Sequence, residues 1–588
     1  MRQLDPASSQ SATNETGGTD PNVGDVITTT PGAWGNKPTS FTYQWQACTG
    51  STCTGIGGAT SASYTVQASD VGHAIRSVVT AHNSNGAASA PSAETSVVGG
   101  GNAGTPTVNY FVAQSAAGSG SGSSCANAAA VSTLSGPAHW TAGNVIGLCG
   151  TITSPIIAGG SGTASNPITV YWEPGATMSS PDWGGSAEAP GAAFSTGGNR
   201  YLILNGGNNG RSIQATAEGS GLADQGIPSQ AILANNCTGC TFENLTIANL
   251  YVHSVSRDTT VDQTLDNAFF IDGGSNITIA NNTVHDVGWA IVTYWNNGDG
   301  DEAIYGNNVY NMDHGWVTGG AFNGGSVGPV SFYDNHVHDE GNWDTPTNAY
   351  HHDGIHCFSP NAKGFTPHYT GLYIYDNRFD GTTGANMTGD IFIEGGSGSG
   401  STPCGDSTSN LWIFNNVASV SSGVDAGVFG IYSTNPHVVN NTIISSDTST
   451  GVGYLSAGGT AVASKTTFEN NVVTTVNQLI TTAPSFMAAG QPDHNVYANG
   501  SNNAFVCGAN YIEFGQFSTW KTCIRADSHS TTASSASLNA DGSPQAGSPV
   551  LGAGTNLDSD CTGSLVPLCS NIAGRPRPKT GAWNAGAY

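Results

Sequence analysis

A short phrase in the middle of the chain decides the fold: Ile279-Ala280-Asn281-Asn282-Thr283-Val284. It consists of an apolar residue, two variable positions, an asparagine, one more variable position and a second apolar residue. The phrase returns at Ile304-Tyr305-Gly306-Asn307-Asn308-Val309 and at Phe332-Tyr333-Asp334-Asn335-His336-Val337. The equivalent asparagines are Asn205, Asn244, Asn282, Asn307, Asn335, Asn377, Asn416, Asn441 and Asn471.

The spacing of these asparagines indicates a solenoid. The shortest interval is 25 residues, from Asn282 to Asn307, and longer intervals fit coils of constant length that carry inserted loops. The apolar residues of each coil can be covered only by neighbouring coils. An asparagine at a turn tolerates left-handed backbone angles and can stack on its equivalents. We therefore predict an all-β fold, a parallel β-helix with a C-terminal cap, over residues 108–588.

Two further stretches carry a family resemblance. Residues 160–170, Gly-Ser-Gly-Thr-Ala-Ser-Asn-Pro-Ile-Thr-Val, and the end of the chain, from Ile572 to Tyr588, resemble the first and last coils of secreted bacterial right-handed parallel β-helix proteins of the pectate-lyase-like type. The resemblance implies a right-handed solenoid. It implies little about activity, because this fold hosts lyases, hydrolases, epimerases and adhesins.

The N-terminal part has a different pattern. Residues 1–20 are polar, and we expect them to be disordered. Residues 21–98 contain short alternating strands such as Phe41-Thr42-Tyr43-Gln44-Trp45-Gln46, and resemble a bacterial immunoglobulin-like module. The resemblance implies a small β-sandwich around Trp45 that carries no chemistry. Residues 99–107 are glycine-rich, which is typical of a linker.

Charge and hydropathy exclude several partners. The chain has 40 Asp and Glu against 14 Lys and Arg, a net charge of −26, which disfavours binding to nucleic acid or to anionic lipid. No apolar run approaches the ~20 residues needed to span a bilayer. The first residues, Met1-Arg2-Gln3-Leu4-Asp5, do not form an export signal. We expect an extracellular protein whose signal has been removed, and a monomer.

The 12 cysteines support that location, because their even number and local pairing are typical of disulfides. Zinc is the competing interpretation for Cys237 and Cys240, although no second ligand pair stands nearby in the sequence. The predicted pairs are Cys48–Cys53, Cys125–Cys149, Cys237–Cys240, Cys357–Cys404, Cys507–Cys523 and Cys561–Cys569.

Candidate chemistry is concentrated in the middle coils. Three residues beyond successive ladder asparagines stand His285, Tyr310, His338 and Asp380, which should form one outward column. The densest group is Tyr350-His351-His352-Asp353-Gly354-Ile355-His356-Cys357-Phe358. In a strand, Ile355 and Cys357 would face inward and His356 and Phe358 outward. The coil before it contributes His314 and Trp316, and the coil after it contributes Asp390, Phe392 and Glu394.

We therefore predict that Asp353 and Glu394 form a carboxylate pair on adjacent coils, ~5–10 Å apart, assisted by His356, His314 and Asp390. Such groups could cleave a glycosidic bond, and aromatic rings beside them could stack on sugars. The predicted substrate-binding residues are Trp316, Phe358, Phe392, His338, His352 and Lys363. The competing interpretations are a solvated histidine for each isolated His, and a turn residue for Asp353.

Two metal sites are also conceivable, although no cofactor motif is present. His351, His352, Asp353 and His356 could hold a transition metal, but adjacent residues of a strand point in opposite directions. Asp299, Asp301 and Glu302 belong to a loop dense in oxygen donors, without the spacing of a known calcium motif. Calcium is the candidate ion there.

These features favour an extracellular enzyme that degrades a polysaccharide. Hydrolysis is preferred over elimination because a polyuronate lyase must neutralise the substrate carboxylate, and only Lys363 and Arg378 stand near the cluster. Calcium could replace those cations. The alternative is a surface adhesin or matrix protein that binds carbohydrate without cleaving it.

Overall fold

In the computed structural model, the chain divides into two compact units, Met1–Thr107 with Ala573–Arg577, and Val108–Ile572 with Pro578–Tyr588. The structure describes residues 12–14, 21, 26–31, 34, 38–49, 52–66, 70, 73–83, 86–92, 94–95, 98, 106–186, 189–207, 211–218, 227–251, 266–319, 325–340, 352–358, 367–383, 387–394, 404, 408, 410–420, 427–433, 436–445, 452–456, 467–482 and 491–588.

The first unit contains two antiparallel sheets. Trp45 is fully buried, stacks on Tyr64 with ring centroids 5.9 Å apart, and shares one core with Ile27 and Ile75. The Tyr64 hydroxyl donates to Asp70 Oδ2 at 2.6 Å. An immunoglobulin-like identity stays a prediction. The three-stranded sheet comprises Ala12–Asn14, Val26–Thr29 and Ser63–Thr65, and the four-stranded sheet comprises Thr52–Gly55, Ser40–Thr49, Ala74–Asn83 and Gly86–Pro91.

The second unit is a parallel β-helix, as predicted. Its coils contribute strands to three faces, here called A, B and C in the order in which each coil visits them. Face A comprises Ala129–Ala130, Tyr110–Ala113, Val145–Leu148, Ile168–Trp172, Leu202–Asn205, Thr241–Glu243, Thr278–Ala280, Glu302–Tyr305, Gly325–Tyr333, Pro367–Tyr375, Leu411–Phe414, Pro436–Val439, Thr467–Glu469 and Gln491–Asp493.

Faces B and C belong to one continuous network of hydrogen-bonded strands. Face B comprises Thr151–Ile152, Thr177–Ser180, Arg211–Ala215, Leu245–Ala248, His336–His338, Arg378–Asp380, Val417–Val420, Thr442–Ser445, Val472–Thr474, Val496–Ala498 and Thr531–Ala533. Face C comprises Ile156–Ile157, Ala189–Ser195, Ser229–Asn235, Asn267–Asp272, His352–Cys357, Met387–Ile393, Phe429–Ile431, Val452–Ser456, Gln478–Thr482 and Phe505–Cys507, with Gly185–Ser186 and Asn510–Ile512 antiparallel at its margins.

Two long strands join these faces. Thr283–Tyr294 and Asn308–Gly319 each run through face B, bend, and continue through face C. The bend contains a residue with left-handed backbone angles, Asp286 in one strand and Asn311 in the other, with φ of 54° and 52°. Aspartate and asparagine adopt this conformation at less cost than most residues. Asp339 adopts it in the next coil.

The asparagine ladder is continuous and fully hydrogen-bonded. Asn377, for example, donates from Nδ2 to Phe332 O and Asn416 Oδ1, and accepts at Oδ1 from the backbone and side-chain amides of Asn335. All the bonding capacity of the amide is therefore used in a buried position. The ladder runs through Asn282, Asn307, Asn335, Asn377, Asn416, Asn441, Asn471 and Asn495.

The two earliest predicted ladder residues were wrong. Leu245 occupies the ladder position of its coil, since its backbone amide donates to Asn282 Oδ1. Asn244 is the left-handed residue before it, with φ of 58°. Asn205 donates to Glu243 instead. The residue directly before each ladder position has left-handed backbone angles, which asparagine tolerates. Asparagine therefore recurs at that position as well as at the ladder position, and the sequence phrase does not distinguish the two.

The helices of the described residues are short. The one α-helix among them is Phe517–Ile524, and it packs Trp520 and Ile524 against the last coil. None of the helices among the described residues is long and apolar enough to cross a membrane. The 3₁₀ segments are Cys125–Asn127, Val131–Ser135, Pro137–His139, Phe514–Gln516, Asp558–Asp560 and Gly563–Cys569.

The C-terminal segment does not form the last coil that the family resemblance implied. It lies along the outside of earlier coils, where Trp583 packs with Phe414 on face A and Ala585 packs with Val472 on face B. At its end, Ala587 N donates to Thr442 Oγ1, and the Tyr588 hydroxyl accepts a hydrogen bond from Arg378. Some side chains that point out of the solenoid, such as Phe414 and Val472, are apolar. The C-terminal segment packs over them and so removes them from solvent.

All six predicted disulfides are present in the predicted pairs. Cys237 and Cys240 are bonded to each other, which excludes the zinc interpretation of that pair.

Candidate functional site

The site is built on face C by three successive coils. Their strands pair in parallel, so that His314 lies beside Asp353, and Asp353 beside Gly389. Three residues further along, Val317 lies beside His356, and His356 beside Phe392. The apolar partners Ile355 and Cys357 belong to the interior core, as predicted, which leaves His356 on the outer side.

Side chains two residues apart in these strands do not all face the same way. Trp316 and Ile355 lie in the interior core, whereas His314 packs against Trp289 and His356 on the outer side. The glycines between them, Gly315 and Gly354, make the change possible. A Cβ on Gly315 would lie 2.5 Å from the carbonyl oxygen of Gly354, so a larger residue cannot stand there without displacing the backbone.

The result is a group of buried ionisable side chains that we call the acid–histidine cluster. His314 is its centre: its Nδ1 lies 2.7 Å from Asp313 Oδ2, and its Nε2 lies 3.2 Å from Asp353 Oδ2. His356 Nδ1 lies 3.5 Å from the same Asp353 oxygen. His352 Nδ1 lies 2.5 Å from Asp313 Oδ1. The buried members of the cluster are Asp313, His314, Glu340, His352, Asp353, His356 and Asp390.

Burial and mutual charge determine the protonation of these groups. Burial acts to lower the pKa of His314, but Asp313 and then Asp353 outweigh it and raise that pKa to about 9. Burial would raise the pKa of Asp313, yet His314 and His352 hold it well below its ordinary value. Burial, with the nearby Asp380 and Asp353 charges, raises the pKa of Asp390 to about 8. Burial, Asp390 and Asp353 likewise raise the pKa of Glu340.

The cluster reaches the surface at His356, whose side chain is 8% exposed, while Asp353 is 0% exposed. The His356 ring lies 4.7 Å from the ring of Phe358 and 5.1 Å from that of Phe392, measured between centroids. Both phenylalanines are half-buried. They therefore form an aromatic margin around His356, the least buried of the cluster members that the structure describes.

Two predicted substrate-binding residues are wrong. Trp316 is fully buried in the solenoid interior, where it stacks on Phe332 at 4.8 Å and donates from Nε1 to Thr293 Oγ1. The bend at Gly315 reverses the side to which it points. His352 is 1% exposed and turned toward Asp313, so it supports the cluster and cannot contact a substrate in this arrangement.

The predicted carboxylate pair of Asp353 and Glu394 is also wrong. Asp353 lies beside Gly389, and Glu394 follows five residues later in the same strand direction, about 16 Å farther along. The carboxyl groups whose pKa Asp353 helps to raise are those of Asp390 and Glu340. Glu394 instead lies two residues beyond Phe392, the partner of His356, and is half-buried on the same side.

The predicted outward column exists on face B. His285 pairs with Tyr310, Tyr310 with His338, and His338 with Asp380. The rings of the first three are stacked, with centroids 4.8 and 5.0 Å apart. His338 is therefore separated from the acid–histidine cluster by the bend between faces B and C, and does not join that site.

The calcium prediction is not supported by the geometry. Asp299 Oδ2 accepts hydrogen bonds from the backbone amides of Asn296 and Gly274. Glu302 is buried, and its Oε2 accepts from the backbone amide of Ile277 in the preceding coil. These carboxylates cap backbone amides in the segments that precede the face A strands, and among the described residues Asp299, Asp301 and Glu302 do not converge as a ligand group.

Sequence reasoning missed Asp313 and Glu340 as members of the site. Asp313 stands directly before His314, which is a signal, but the alternation of a strand assigns adjacent residues to opposite sides. Glu340 follows the left-handed residue Asp339, and nothing in the sequence indicates that it is buried beside Asp390 and Asp353. Lys363 and His351 lie outside the described residues.

Comparison with known proteins gives only distant likenesses. No protein-family model and no curated protein matches the chain. Solved structures that resemble it include a double mutant of the tailspike protein of E. coli bacteriophage HK620, with 10% identity over 68% of this chain and 70% of that chain and a TM-score of 0.39. Pectate lyase Pel9A has 15% identity over 82% and 95% with a TM-score of 0.36, and XylC in complex with xylose has 11% over 68% and 85% with a TM-score of 0.35.

Proposed function

We propose that this protein is an extracellular enzyme that hydrolyses glycosidic bonds of a polysaccharide on face C. The observation that carries the proposal is the acid–histidine cluster, a chain of contacts from Asp313 through His314 and Asp353 to His356, which ends at a surface margin of aromatic rings. Fully buried ionisable groups are costly, and their concentration at one point of a stable scaffold is typical of a functional site.

The groups on this margin suit a carbohydrate. Glycosidic cleavage needs proton transfer to the leaving oxygen and activation of a nucleophile from the other side. Glu394 supplies a half-buried carboxylate two residues beyond Phe392, the strand partner of His356, so the backbones of Glu394 and His356 lie about 8 Å apart on the same side. In this proposal Glu394 transfers the proton, and the cluster behind His356 activates the nucleophile. Phe358 and Phe392 offer faces on which sugar rings can stack.

Hydrolysis is favoured over elimination by the charge of the site. Elimination from a polyuronate requires cationic groups that neutralise the substrate carboxylate, and Asn308–Gly319, His352–Cys357 and Met387–Ile393 contain no Lys or Arg. Arg378 lies on face B, where it donates to the Tyr588 hydroxyl. Where protein side chains alone supply the charge of the site, a neutral glycan is therefore the expected substrate.

The test is release of reducing ends from a panel of neutral and acidic polysaccharides by the full chain and by Glu394→Gln. We expect cleavage of a neutral glycan, and a loss of at least ~100-fold in turnover for the variant, as is usual when a proton-transfer group is removed. Glu513→Gln, at an exposed position far along the chain, is the matched control and should turn over normally.

Two outcomes would contradict the proposal. Unsaturated products that absorb in the near ultraviolet would show elimination instead of hydrolysis. Binding of a glycan by a folded chain without cleavage would favour the adhesin alternative.

A further inference from the structure

Three members of the acid–histidine cluster place one polar atom each around a common point. His314 Nε2 and His356 Nδ1 lie 3.2 and 3.5 Å from Asp353 Oδ2, and the three atoms all lie within 4.8 Å of one another. Ligands ~2.0–2.2 Å from a tetrahedral zinc ion are themselves about 3.3–3.5 Å apart. We infer that His314, Asp353 and His356 form a binding site for one divalent transition-metal cation. This inference goes beyond the proposed function, because the site can hold a metal whatever the substrate.

The surroundings of His314 match those of a metal-ligating histidine. Such a histidine usually donates its second ring nitrogen to a carboxylate, which fixes the orientation of the ring. Here His314 Nδ1 lies 2.7 Å from Asp313 Oδ2, so Nε2 is directed toward Asp353. Asp313 is held in turn by Trp289, whose Nε1 donates to Oδ2 at 3.0 Å, and by His352. The contacts that orient His314 as a metal ligand are thus already present.

The charge of the cluster also favours a cation. Four carboxyl groups share this buried space with three imidazoles, and in a medium of low polarity the attraction between a divalent cation and carboxylate oxygens is strong. Glu340 Oε2 and Asp390 Oδ2 have no hydrogen-bond donor among the residues that the structure describes. Two buried carboxylate oxygens beside the proposed ligands would be stabilised by a bound divalent ion.

The ligand types decide which cation fits. Calcium and magnesium prefer oxygen ligands, whereas two imidazole nitrogens and one carboxylate suit zinc and its neighbours in the first transition series. Three protein ligands leave a coordination position open, as in catalytic zinc sites, where the metal makes a bound water more acidic. A cation here would lie behind the margin formed by Phe358 and Phe392.

Two other histidine–carboxylate groups lack these features. His336, His338 and Asp380 are partly exposed on face B, and the Arg378 guanidinium lies 3.8 Å from Asp380 Oδ2, where it would repel a cation. Asp493 already accepts backbone hydrogen bonds from His494 and His529. The proposal is therefore specific to face C.

The test uses the full chain, stripped with EDTA and titrated calorimetrically with ZnCl₂, and with CoCl₂ to record the visible absorption of four-coordinate cobalt. We expect one high-affinity ion per chain. Asp353→Asn and His356→Gln should abolish that binding, and His336→Gln, the matched control on face B, should leave it intact. Asp313→Asn, which keeps all three ligands, should weaken binding by ~10–100-fold.

The result that overturns the inference is a folded chain, verified by circular dichroism, that binds no zinc or cobalt, or that loses binding with His336→Gln and keeps it with His356→Gln. Glu394→Gln separates the two proposals. It should bind the metal normally and fail only in turnover, so absence of metal would refute this inference and leave the hydrolase proposal standing.

Discussion

Faces B and C both carry histidines and aspartates on the same coils, but these side chains are partly exposed on face B and buried on face C. On face B, His285 and His338 are half-buried, stack with Tyr310, and pair with the adjacent Asp286 and Asp339 at 2.6 and 2.8 Å. On face C, His314, Asp353 and His356 are buried together. Each face B histidine has its own carboxylate, whereas the face C carboxylates outnumber the histidines and interact with one another. Burial at the bend, and not composition, distinguishes the two.

The largest expected effect compares one aspartate from each face. Asp353→Asn should lower turnover by at least ~100-fold, because Asp353 contacts both His314 and His356. Asp286→Asn on face B, whose carboxylate pairs with the adjacent His285, should leave turnover almost unchanged. Reducing-end release measured on both variants, with melting temperature as a check of folding, decides the matter. Equal losses of turnover in the two variants would contradict the placement of the active site on face C.

The next effect concerns stability and two adjacent residues. Asn441→Ala removes a ladder amide that donates to Ile413 O and Asn471 Oδ1 and accepts from Asn416, and should lower the free energy of unfolding by at least about 2 kcal/mol. Asn440→Gly should cost less than about 1 kcal/mol, because φ at this position is 56°, an angle that glycine adopts freely. Denaturant unfolding measures both. A larger loss for Asn440→Gly would contradict the importance of the ladder.

A smaller effect is expected for the exposed ion pair of face B, His336 Nε2 and Asp380 Oδ1, 2.7 Å apart. Burial acts to raise the pKa of Asp380, but His336 and Arg378 lower it below its ordinary value. The pair therefore stabilises the fold above the unfolded pKa of ~3.9, and the contribution is lost as pH falls through the folded pKa.

His336→Gln should accordingly reduce stability by no more than about 1 kcal/mol near pH 5, and the difference from the parent chain should vanish near pH 2. Urea unfolding at the two pH values tests the sign. A difference that grows on acidification would contradict it.

The smallest effect is expected from the N-terminal unit. Residues 21–98 should fold independently, and a chain that begins at residue 105 should turn over a soluble substrate at the rate of the full protein. The reason is that the acid–histidine cluster and its aromatic margin are contributed entirely by the second unit. Loss of turnover in a folded shortened chain would assign the N-terminal unit a part in catalysis.

Much of the architecture was predictable because it depends on short-range repetition. The asparagine phrase predicted the solenoid, since stacked coils place equivalent residues in contact, and three-residue offsets predicted the column from His285 to Asp380. Alternation correctly assigned Ile355 and Cys357 to the interior and His356 to the outer side. The six disulfides followed from their local spacing.

The site was predicted only in part, for a specific reason. Alternation holds while a strand is regular, and it fails at the bend around Gly315 and Gly354, where Trp316 turns inward and His314 and Asp353 turn outward. The error in pairing Asp353 with Glu394 came from the register, because adjacency of two strands does not say which residues of them are opposite.

The sequence by itself determined the coil, the ladder and the concentration of histidine and acid in the middle coils, because each depends on residues that are close in the chain or separated by a constant repeat. Only the tertiary structure decided that Asp313, Glu340 and Asp390 share one buried space with three histidines. Loops of different length separate these coils, so the sequence distance between their residues carries no information on register. The pKa of each ionisable group depends on its burial and on the charges beside it, and therefore on the register of the strands. Burial and register are established only when the coils stack.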